Sequence, residues 1–361
     1  MNTKLIPASL LCTLILAACG SGGGSSTPTP PPISSPITSA KAILGYFTGS
    51  SDSMASATAS STPVTMVAMD QIVVAADGSL SGTLAASLLS SDQAARKASY
   101  ACISNFGVTD FDPAIAHGAM VSSRAALLQN IVALAQSANL AGINIDFEGI
   151  YPADRDAYTS FVSDLAAQLH AIHSSLILSV PAKTVDSAGD GWTWPYDYAA
   201  LAQSADFIQV MTYDENIPGR APGPVAGSDW MLASLRYAVS LVPSSKVLLG
   251  LPAYGYDWNI ITDAGTQVAW KDMPALLAST GATPQWDATT NSAHIDYTAP
   301  DGSAHEVWYE TAQGIQVKAQ FAKTLNLAGV SMWALGAEDV NFWRAVSAGI
   351  NRAYPVSSHA Y

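Results

Sequence analysis

Short, almost continuously hydrophobic runs alternate along the chain with segments whose apolar residues recur every three or four positions. The runs have the character of buried strands, and they begin at Lys41, Thr65, Tyr100, Gly142, Ser175, Asp206, Lys246 and Ala328. Four intervening segments have the periodicity of amphipathic helices, at residues 123–140, 154–173, 229–242 and 312–327. Hydrophobic strands separated by helices are typical of a parallel sheet that is covered on its outer side. Eight such strands predict an α/β fold, a closed (β/α)8 TIM barrel.

An open, doubly wound sheet is the alternative fold, although no Gly-rich phosphate loop follows the first strand. The alternation is interrupted between about 256 and 310, where the chain becomes polar and aromatic, and the "APDG" sequence after Tyr297 is typical of a hairpin turn. We therefore predict a small β-rich insertion between the seventh strand and its helix. The whole barrel is expected to span residues 41–352.

The fourth predicted strand, "GINIDFEG", carries Asn144, Asp146 and Glu148 at every second position. Alternate residues of a strand share a face, so these three point the same way. Inside a barrel they must pair with one another, and two carboxylates so close together resist simultaneous ionisation. Glu148 stands at the carboxyl end of its strand, where barrel enzymes gather catalytic groups, and a protonated Glu148 would be a general acid. The competing interpretation is an amphipathic edge strand with these residues facing water.

Composition and net charge argue against a disordered protein and against a nucleic-acid-binding protein. Hydrophobic residues make up 49% of the 361 residues and charged residues 12%, so the chain can bury a large core and wholesale disorder is excluded. Acidic residues outnumber basic ones by 28 to 15. A surface of that sign repels phosphate backbones, so we expect no nucleic-acid partner.

The amino terminus predicts a processed leader and a tether. Residues 1–18 carry Lys4 and an apolar run that is too short for a comfortable membrane span. The run ends in "LAAC", which resembles the bacterial lipoprotein signal, in which the chain is cut before the cysteine and Cys19 is lipidated. A Gly/Ser/Pro-rich tether follows over residues 19–40. We expect a protein anchored by lipid alone in a bacterial cell envelope, with Gly20 hinting at the outer membrane. An ordinary secretory signal with a chance cysteine is the alternative.

The remaining cysteine and the histidines predict neither a disulfide nor a metal centre. Cys12 leaves with the leader and Cys19 would carry lipid, so Cys102 has no partner and is expected to fill the core. The six histidines are scattered, and His170 and His173 lie in a surface-type helix beside no third ligand. We predict no metal, no cofactor and a monomeric chain.

Several motifs, in order, carry a family resemblance. "AGINIDFE" resembles the Asp-Gly-x-Asp-x-Asp-x-Glu signature of glycoside hydrolase family 18, which is chitinase-like. "MTYD" at residues 211–214 and "SMWALG" at residues 331–336 match the family's sixth and eighth strand ends. The fuller "MTYDE" with "GPVA", "LPAYGYDW" and "VWYE" is most similar to the spore-germination and cortex-lytic branch. The resemblance covers most of the chain after the tether. It departs at Ala141 and Asn144, which replace two aspartates of the signature.

The resemblance implies a substrate-assisted mechanism. Asp146 and Glu148 come from one face of one strand, so they should approach the scissile bond from the same side. An ordinary two-carboxylate glycosidase needs its carboxylates on opposite sides, and this family is an exception that uses the substrate's own 2-acetamido oxygen as nucleophile. Glu148 would then be the acid and base, Asp146 would orient the acetamido N–H, and Tyr213 would bind its carbonyl.

The same resemblance suggests residues that contact the sugar. Asp214 is implied to bind sugar hydroxyls, and the indole of Trp333 to lie beneath the sugar at the cleavage subsite. Weaker candidates lie at strand ends or beside these motifs, namely Tyr46, Asn105, Asn144, Met211 and Tyr254. Trp258 and Trp308 line the cleft wall or belong to the core of the insertion.

Together these features predict a retaining hydrolase of β-1,4-linked N-acetylglucosamine polymers, either chitin or peptidoglycan. A non-catalytic glycan-binding protein on the same fold is the alternative, and a lipid-tethered envelope scaffold is a third. No separate carbohydrate-binding module is visible in the sequence, so nothing selects between the two polymers. Endo and exo action both stay open.

Overall fold

A computed structural model describes residues 41–352 and 354 of the chain. The predicted leader and the whole of the predicted tether, including Cys19, lie outside the described residues. The strands are β1 (Ala42–Phe47), β2 (Met66–Val74), β3 (Leu80–Gly82), β4 (Ala98–Ser104), β5 (Gly142–Asp146), β6 (Ser175–Pro181), β7 (Phe207–Met211), β8 (Val247–Pro252), β9 (Tyr254–Asn259), β10 (Gly265–Ala269), β11 (Gln285–Asp287), β12 (Ser292–Thr298), β13 (Ala304–Tyr309) and β14 (Gly329–Trp333).

Helices connect most of these strands. They are α1 (Ser51–Thr58), α2 (Ala86–Ala95), α3 (Pro113–His117), α4 (Arg124–Ser137), α5 (Arg155–Ala171), α6 (Tyr198–Leu201), α7 (Ser228–Leu241), α8 (Met273–Thr280), α9 (Ala312–Thr324) and α10 (Val340–Ile350). The four predicted helices correspond to α4, α5, α7 and α9. The two weakly patterned early connections contain α1 and α2. In the part of the chain that the structure covers, no single helix is long and apolar enough to cross a membrane, although the bent pair Pro113–Ser122 and Arg124–Ser137 meets that criterion together.

Eight parallel strands form a closed barrel, which confirms the predicted fold. Their order is β1-β14-β8-β7-β6-β5-β4-β2, and β1 also pairs with β2, so the sheet has no free edge among these eight. An open doubly wound sheet is therefore excluded. The short β3 adds to β2 in the antiparallel sense.

The pattern of β5 shows how the barrel sorts its side chains. Ile143 and Ile145 are fully buried in the core between the strands and the outer helices. Asn144 and Asp146 point the other way, into the barrel, where Cys102 of the neighbouring strand pairs with Asn144. Cys102 is buried and free, as its apolar surroundings predicted. The alternation in the sequence thus placed two polar groups inside a hydrophobic strand without exposing them to bulk water.

The predicted insertion is a separate five-stranded antiparallel sheet, in the order β10-β9-β13-β12-β11. It begins with Tyr254, two residues earlier than predicted, and it contains helix α8, which the sequence did not reveal. One face of the sheet forms a small core with this helix, in which Met273, Ile295 and Val307 are buried. Tyr256, Trp258 and Trp308 lie on the opposite face.

Candidate active site

Strand β5 delivers the two predicted catalytic carboxylates to the carboxyl end of the barrel. Asp146 is the last residue of the strand and only 6% exposed, and Glu148 follows two residues later and is partly buried. Phe147 between them is fully buried in the helix-facing core, so Glu148 lies on the barrel side of the chain. The hydroxyl group of Tyr196 donates a hydrogen bond to the Phe147 carbonyl at 2.7 Å and fixes this segment.

Asn105 holds the backbone of Glu148 from both sides. Its Oδ1 accepts a hydrogen bond from the Glu148 N–H at 2.8 Å, and its Nδ2 donates to the Glu148 carbonyl at 2.8 Å and to the Asp112 carbonyl at 3.0 Å. The side chain has no exposed surface. This corrects the prediction that Asn105 binds substrate: its amide is consumed by backbone groups, and it positions the acid instead.

A buried polar column supports the carboxylates from below. Asn144 donates from Nδ2 to Ser179 Oγ at 3.0 Å, and the Tyr46 hydroxyl lies 3.1 Å from the same oxygen. Asn144 is fully buried and Tyr46 is 2% exposed. Both were predicted to bind substrate, and the structure places them beneath the cleft, where they satisfy one another's polar groups.

Burial and mutual repulsion keep protons on the carboxylate pair. Burial raises the pKa of Asp146 to about 7, the Asp70 charge adds to this, and the Ser179 hydroxyl offsets part of the rise. Burial also raises the pKa of Glu148 well above its usual range, with further increases from the charges of Asp146 and Asp214. At neutral pH the pair therefore retains a proton, in line with the prediction from β5. One oxygen of Asp146, Oδ1, is buried without a hydrogen-bond partner in the described residues.

Asp70 is a third acid near this pair, and sequence reasoning missed it. It lies in β2, next to a register irregularity between Asp70 and Ile72, and burial raises its own pKa. The available signal was a single aspartate within the apolar run "TMVAMDQIVV". Its effect on Asp146 shows that this strand also contributes to the electrostatics of the mouth.

Met211 is the last residue of β7, and Tyr213 follows two residues later, a spacing that predicts a shared face. Burial raises the pKa of Tyr213 well above its usual range, and the charges of Asp146 and Glu148 raise it further, so the phenol stays protonated and able to donate. Gly250 makes room for the ring, because a Cβ there would lie 2.7 Å from Tyr213 Cε1 and 2.9 Å from the Val210 carbonyl oxygen. Met211 is partly buried at the strand terminus.

Asp214 turns back toward the insertion with a left-handed backbone, at φ +60°. Its Oδ1 accepts hydrogen bonds from Tyr254 at 2.7 Å and from Tyr256 at 2.9 Å. Tyr254 is 2% exposed, so the structure corrects its assignment as a sugar-binding residue and makes it a support for Asp214. Tyr256, which the sequence analysis did not single out, shares this role from a more open position.

The predicted tryptophans have different environments. Trp333 is partly buried at the end of β14, and its ring lies 5.4 Å from that of Tyr46. Trp258 is fully buried, which favours the core interpretation for that residue. Trp308 is partly buried and stacks on His294 with ring centroids 4.6 Å apart. Trp333 thus stands beside Tyr46, a member of the polar column that supports the carboxylates.

Exposed aromatic side chains on the loops after β4, β5 and β6 are a feature that sequence reasoning also missed. Phe106, Tyr151 and Trp192 are 41%, 42% and 49% exposed. Trp192 packs near Gly149, where a Cβ would lie 3.6 Å from its Cζ3, so its ring stands next to the residue that follows Glu148. Exposed aromatic faces of this kind suit contact with the apolar faces of sugar rings.

Comparison with known proteins places this arrangement in a family. Residues 43–338 match the sequence profile described as Glycosyl hydrolases family 18. An uncharacterized glycosylase of Bacillus subtilis, YvbX, is 35% identical over 311 residues, which cover 85% of this chain and 90% of that protein. The cortical fragment-lytic enzyme of the same organism is 31% identical over 229 residues, which cover 62% of this chain and about half, 53%, of the relative.

Solved structures agree with the sequence matches. A chitinase from Chromobacterium violaceum superimposes with a TM-score of 0.84 at 39% identity, covering 87% of this chain and 100% of that chain. The spore cortex-lytic enzyme SleL of Bacillus megaterium gives a TM-score of 0.79 at 25% identity, covering 89% and 75%. The chain therefore belongs to glycosyl hydrolase family 18 and is a glycosidase on a chitinase-like barrel, with homologues among the spore cortex-lytic enzymes.

Proposed function

We propose that the protein is a retaining hydrolase of β-1,4-linked polymers that carry N-acetylglucosamine, and that it works by substrate-assisted catalysis. The observation that carries this proposal is the pair formed by Asp146 and Glu148. Both lie on one side of the barrel mouth, both have a raised pKa, and Asp146 Oδ1 is buried without a hydrogen-bond partner among residues 41–352. A buried carboxylate oxygen without a partner is costly, and an amide N–H of the substrate would satisfy it.

The reaction follows from these roles. Protonated Glu148 gives its proton to the glycosidic oxygen while the bond from that oxygen to the anomeric carbon breaks. The acetamido oxygen of the same sugar forms a bond to the anomeric carbon, and a cyclic oxazolinium ion results. Water then attacks the anomeric carbon, loses a proton to the Glu148 carboxylate and reopens the ring with net retention.

Neighbouring side chains would stabilise the positive charge of the oxazolinium ion and orient the acetamido group. The Asp146 carboxylate would bind the acetamido N–H and balance the positive charge on the oxazolinium ring. Tyr213, whose raised pKa keeps its hydroxyl protonated, would donate to the acetamido carbonyl oxygen and hold it for attack. Trp333 would lie beneath the sugar, and Asp214 would bind its hydroxyl groups.

The two polymers share this chemistry. Similarity to a Chromobacterium violaceum chitinase supports chitin, and similarity to cortex-lytic enzymes supports peptidoglycan. Both polymers present the acetamido group and the β-1,4 bond that the site requires. We therefore propose that the substrate is chitin or peptidoglycan.

Paired assays of wild type and Glu148→Gln test the proposal. We expect the wild type to release product from a chromogenic chitobioside or from muropeptides, and Glu148→Gln to lose about 10³-fold or more in kcat while still binding the glycan. Mass spectrometry of the products from each polymer identifies the substrate and shows whether the action is endo or exo. If both proteins bind glycan and neither turns it over, the protein is a glycan-binding protein and the hydrolase proposal is wrong.

We also propose that Cys19 carries lipid and anchors the protein in a bacterial cell envelope. The support is the "LAAC" sequence followed directly by the Gly/Ser/Pro-rich tether. Expression in a bacterium with a clickable palmitate analogue should label the wild type and leave Cys19→Ala unlabelled. Equal labelling of the two proteins, or none in either, would contradict the anchor.

A further inference from the structure

The β12–β13 hairpin of the insertion brings three potential metal ligands together on one face. His294 and Asp296 are two residues apart on β12, and Glu306 of β13 is the direct cross-strand partner of Asp296. One nitrogen or oxygen atom from each of the three lies within 4.8 Å of the others. Two ligands on one strand and one on its neighbour are enough to surround a single ion.

The pairing of Asp296 with Glu306 places two carboxylates directly opposite each other. Like charges directly opposite each other on antiparallel strands are destabilising. The ion pairs made by lysine and arginine side chains among residues 41–352 all involve other acids. Neither carboxylate is within ion-pair distance of His294. The repulsion is therefore uncompensated by the protein's own charges in this part of the chain.

The imidazole of His294 is available to coordinate. Its Nδ1 is buried and has no hydrogen-bond partner among the described residues. The ring is held by stacking on Trp308, with an angle of 20° between the planes. A buried ring nitrogen with no partner loses its hydration without compensation, and this second observation, independent of the acids, points to a missing ligand.

Outer contacts orient both carboxylates. Trp308 Nε1 donates to Glu306 Oε1 at 2.6 Å, and Gln285 Nε2 donates to Asp296 Oδ2 at 3.3 Å. Each contact occupies one oxygen and leaves the other free. Donors of this kind beside the ligands are typical of metal sites, where they fix the direction of the ligand lone pairs.

We propose that His294, Asp296 and Glu306 bind one divalent transition-metal ion of the zinc type. An imidazole with two carboxylates suits Zn²⁺, whereas Ca²⁺ and Mg²⁺ prefer oxygen ligands alone. The ion neutralises the cross-strand repulsion and ties β12 to β13, and water fills its open position. The sequence concealed this site because Glu306 is ten residues beyond Asp296, and the register of the hairpin joins them.

The site lies on the same face of the insertion as Tyr256, which contacts Asp214. On β13, Glu306 pairs with Trp258 and Trp308 pairs with Tyr256, so these side chains share a face with the metal ligands. The Tyr256 hydroxyl on that face reaches Asp214. The opposite face packs on α8. The ion thus stiffens the wall that supports Asp214, and its role is separate from the acid chemistry at Glu148.

Titration of the metal-stripped full-length protein with ZnCl₂ tests the proposal, with isothermal calorimetry for stoichiometry and thermal unfolding as a second measurement. We expect one equivalent of zinc per chain and a rise in Tm. His294→Gln should weaken binding at least a hundredfold and abolish the rise in Tm. The matched control is His173→Gln, because His173 is also a histidine but is exposed in the turn between α5 and β6.

Glu306→Gln and Asp296→Asn provide further variants should His294→Gln not fold, and each should weaken zinc binding at least tenfold. Absence of zinc binding by the wild type would overturn the proposal. Equal zinc binding by the wild type and the three site variants would also overturn it. So would calcium binding as tight as zinc binding, if the His294→Gln substitution did not weaken it.

Discussion

Strand β5 and the β12–β13 hairpin both place two carboxylates side by side, in opposite surroundings. Asp146 and Glu148 are enclosed by the barrel, where burial raises the pKa of each, and a retained proton relieves their repulsion. Asp296 is exposed on an open antiparallel sheet, and with Glu306 it stands beside an imidazole. The residue types are the same, and their surroundings decide whether a pair becomes an acid or a set of metal ligands.

A buried acid between the insertion and helix α9 is neutralised in a different way. Glu310 follows β13, and its carboxylate forms a fully buried ion pair with Lys318 of α9. Burial raises the pKa of Glu310 and lowers that of Lys318, and the charge of each partner opposes the shift in the other. The pair connects the insertion to the barrel.

The largest effect is expected from breaking that junction. Lys318→Met leaves Glu310 buried without its partner, and we expect the free energy of unfolding to fall by about 3–5 kcal/mol. Urea unfolding at neutral pH measures this. Lys323→Met is the matched control, because Lys323 is exposed on the same helix and its loss should cost less than about 0.5 kcal/mol. The double variant Lys318→Met/Glu310→Gln should recover part of the lost free energy of unfolding. If the single and double variants are equally unstable, the unpaired Glu310 carboxylate is not the cause of the destabilisation.

Asp146→Asn should have the next largest effect, on catalysis. Losing the carboxylate that balances the oxazolinium charge should lower kcat about 10²–10³-fold, roughly 3–4 kcal/mol in the barrier. The charge of Asp146 raises the pKa of Glu148, so its removal lowers that pKa. The protonated acid is then lost at lower pH, and the alkaline limb of the kcat profile should move toward acid.

Asp110→Asn is the control for this pH shift. Asp110 is exposed. Its charge also raises the pKa of Glu148, but by less than the charge of Asp146 does. We expect a smaller movement of the alkaline limb in the same direction, with kcat at the optimum nearly unchanged. An alkaline limb that stays fixed in both variants would mean that Glu148 is not the group being titrated.

Much of the barrel and its mouth was predictable from local patterns. The hydrophobic runs predicted all eight barrel strands because each strand is buried on both faces, and the period of two on β5 predicted which side chains point inward. Helix α8 escaped notice because its eight residues lie within a segment of irregular polarity. Helix α10 was also not predicted. It follows the last barrel strand, so no later strand showed that a helix was to be expected there.

The hydrogen-bond partners and neighbours of several site residues depend on tertiary contacts, which the sequence did not reveal. Asn105 looked like a sugar ligand because it ends a barrel strand, and only the registry of β4 with β5 turns its amide onto the Glu148 backbone. Likewise, His294 and Glu306 are related only through the hairpin register. Local patterns fix the direction of a side chain, whereas its partner depends on which strands become neighbours.

Asn105→Ala tests whether positioning of the acid matters as much as its charge. The variant leaves the Glu148 N–H and carbonyl without partners, and we expect kcat to fall about tenfold to thirtyfold, or about 2 kcal/mol, with KM little changed. The pH profile separates the two roles: its alkaline limb should stay near that of the wild type, unlike that of Asp146→Asn. An unchanged kcat, or a rise in KM alone, would show that Asn105 does not position the acid.

The smallest effects are expected where the insertion supports the barrel through Asp214. Tyr254 and Tyr256 donate to the same oxygen, Oδ1, but Tyr254 is almost fully buried and Tyr256 is more open. Tyr254→Phe should raise KM about fivefold, whereas water can replace the lost hydroxyl in Tyr256→Phe, which should raise KM no more than about twofold. Each loss removes a hydrogen bond that lowers the pKa of Asp214, so that pKa should rise in both variants. Equal effects of the two substitutions would mean that burial does not set the strength of this contact, and that the insertion and the barrel mouth are coupled by another route.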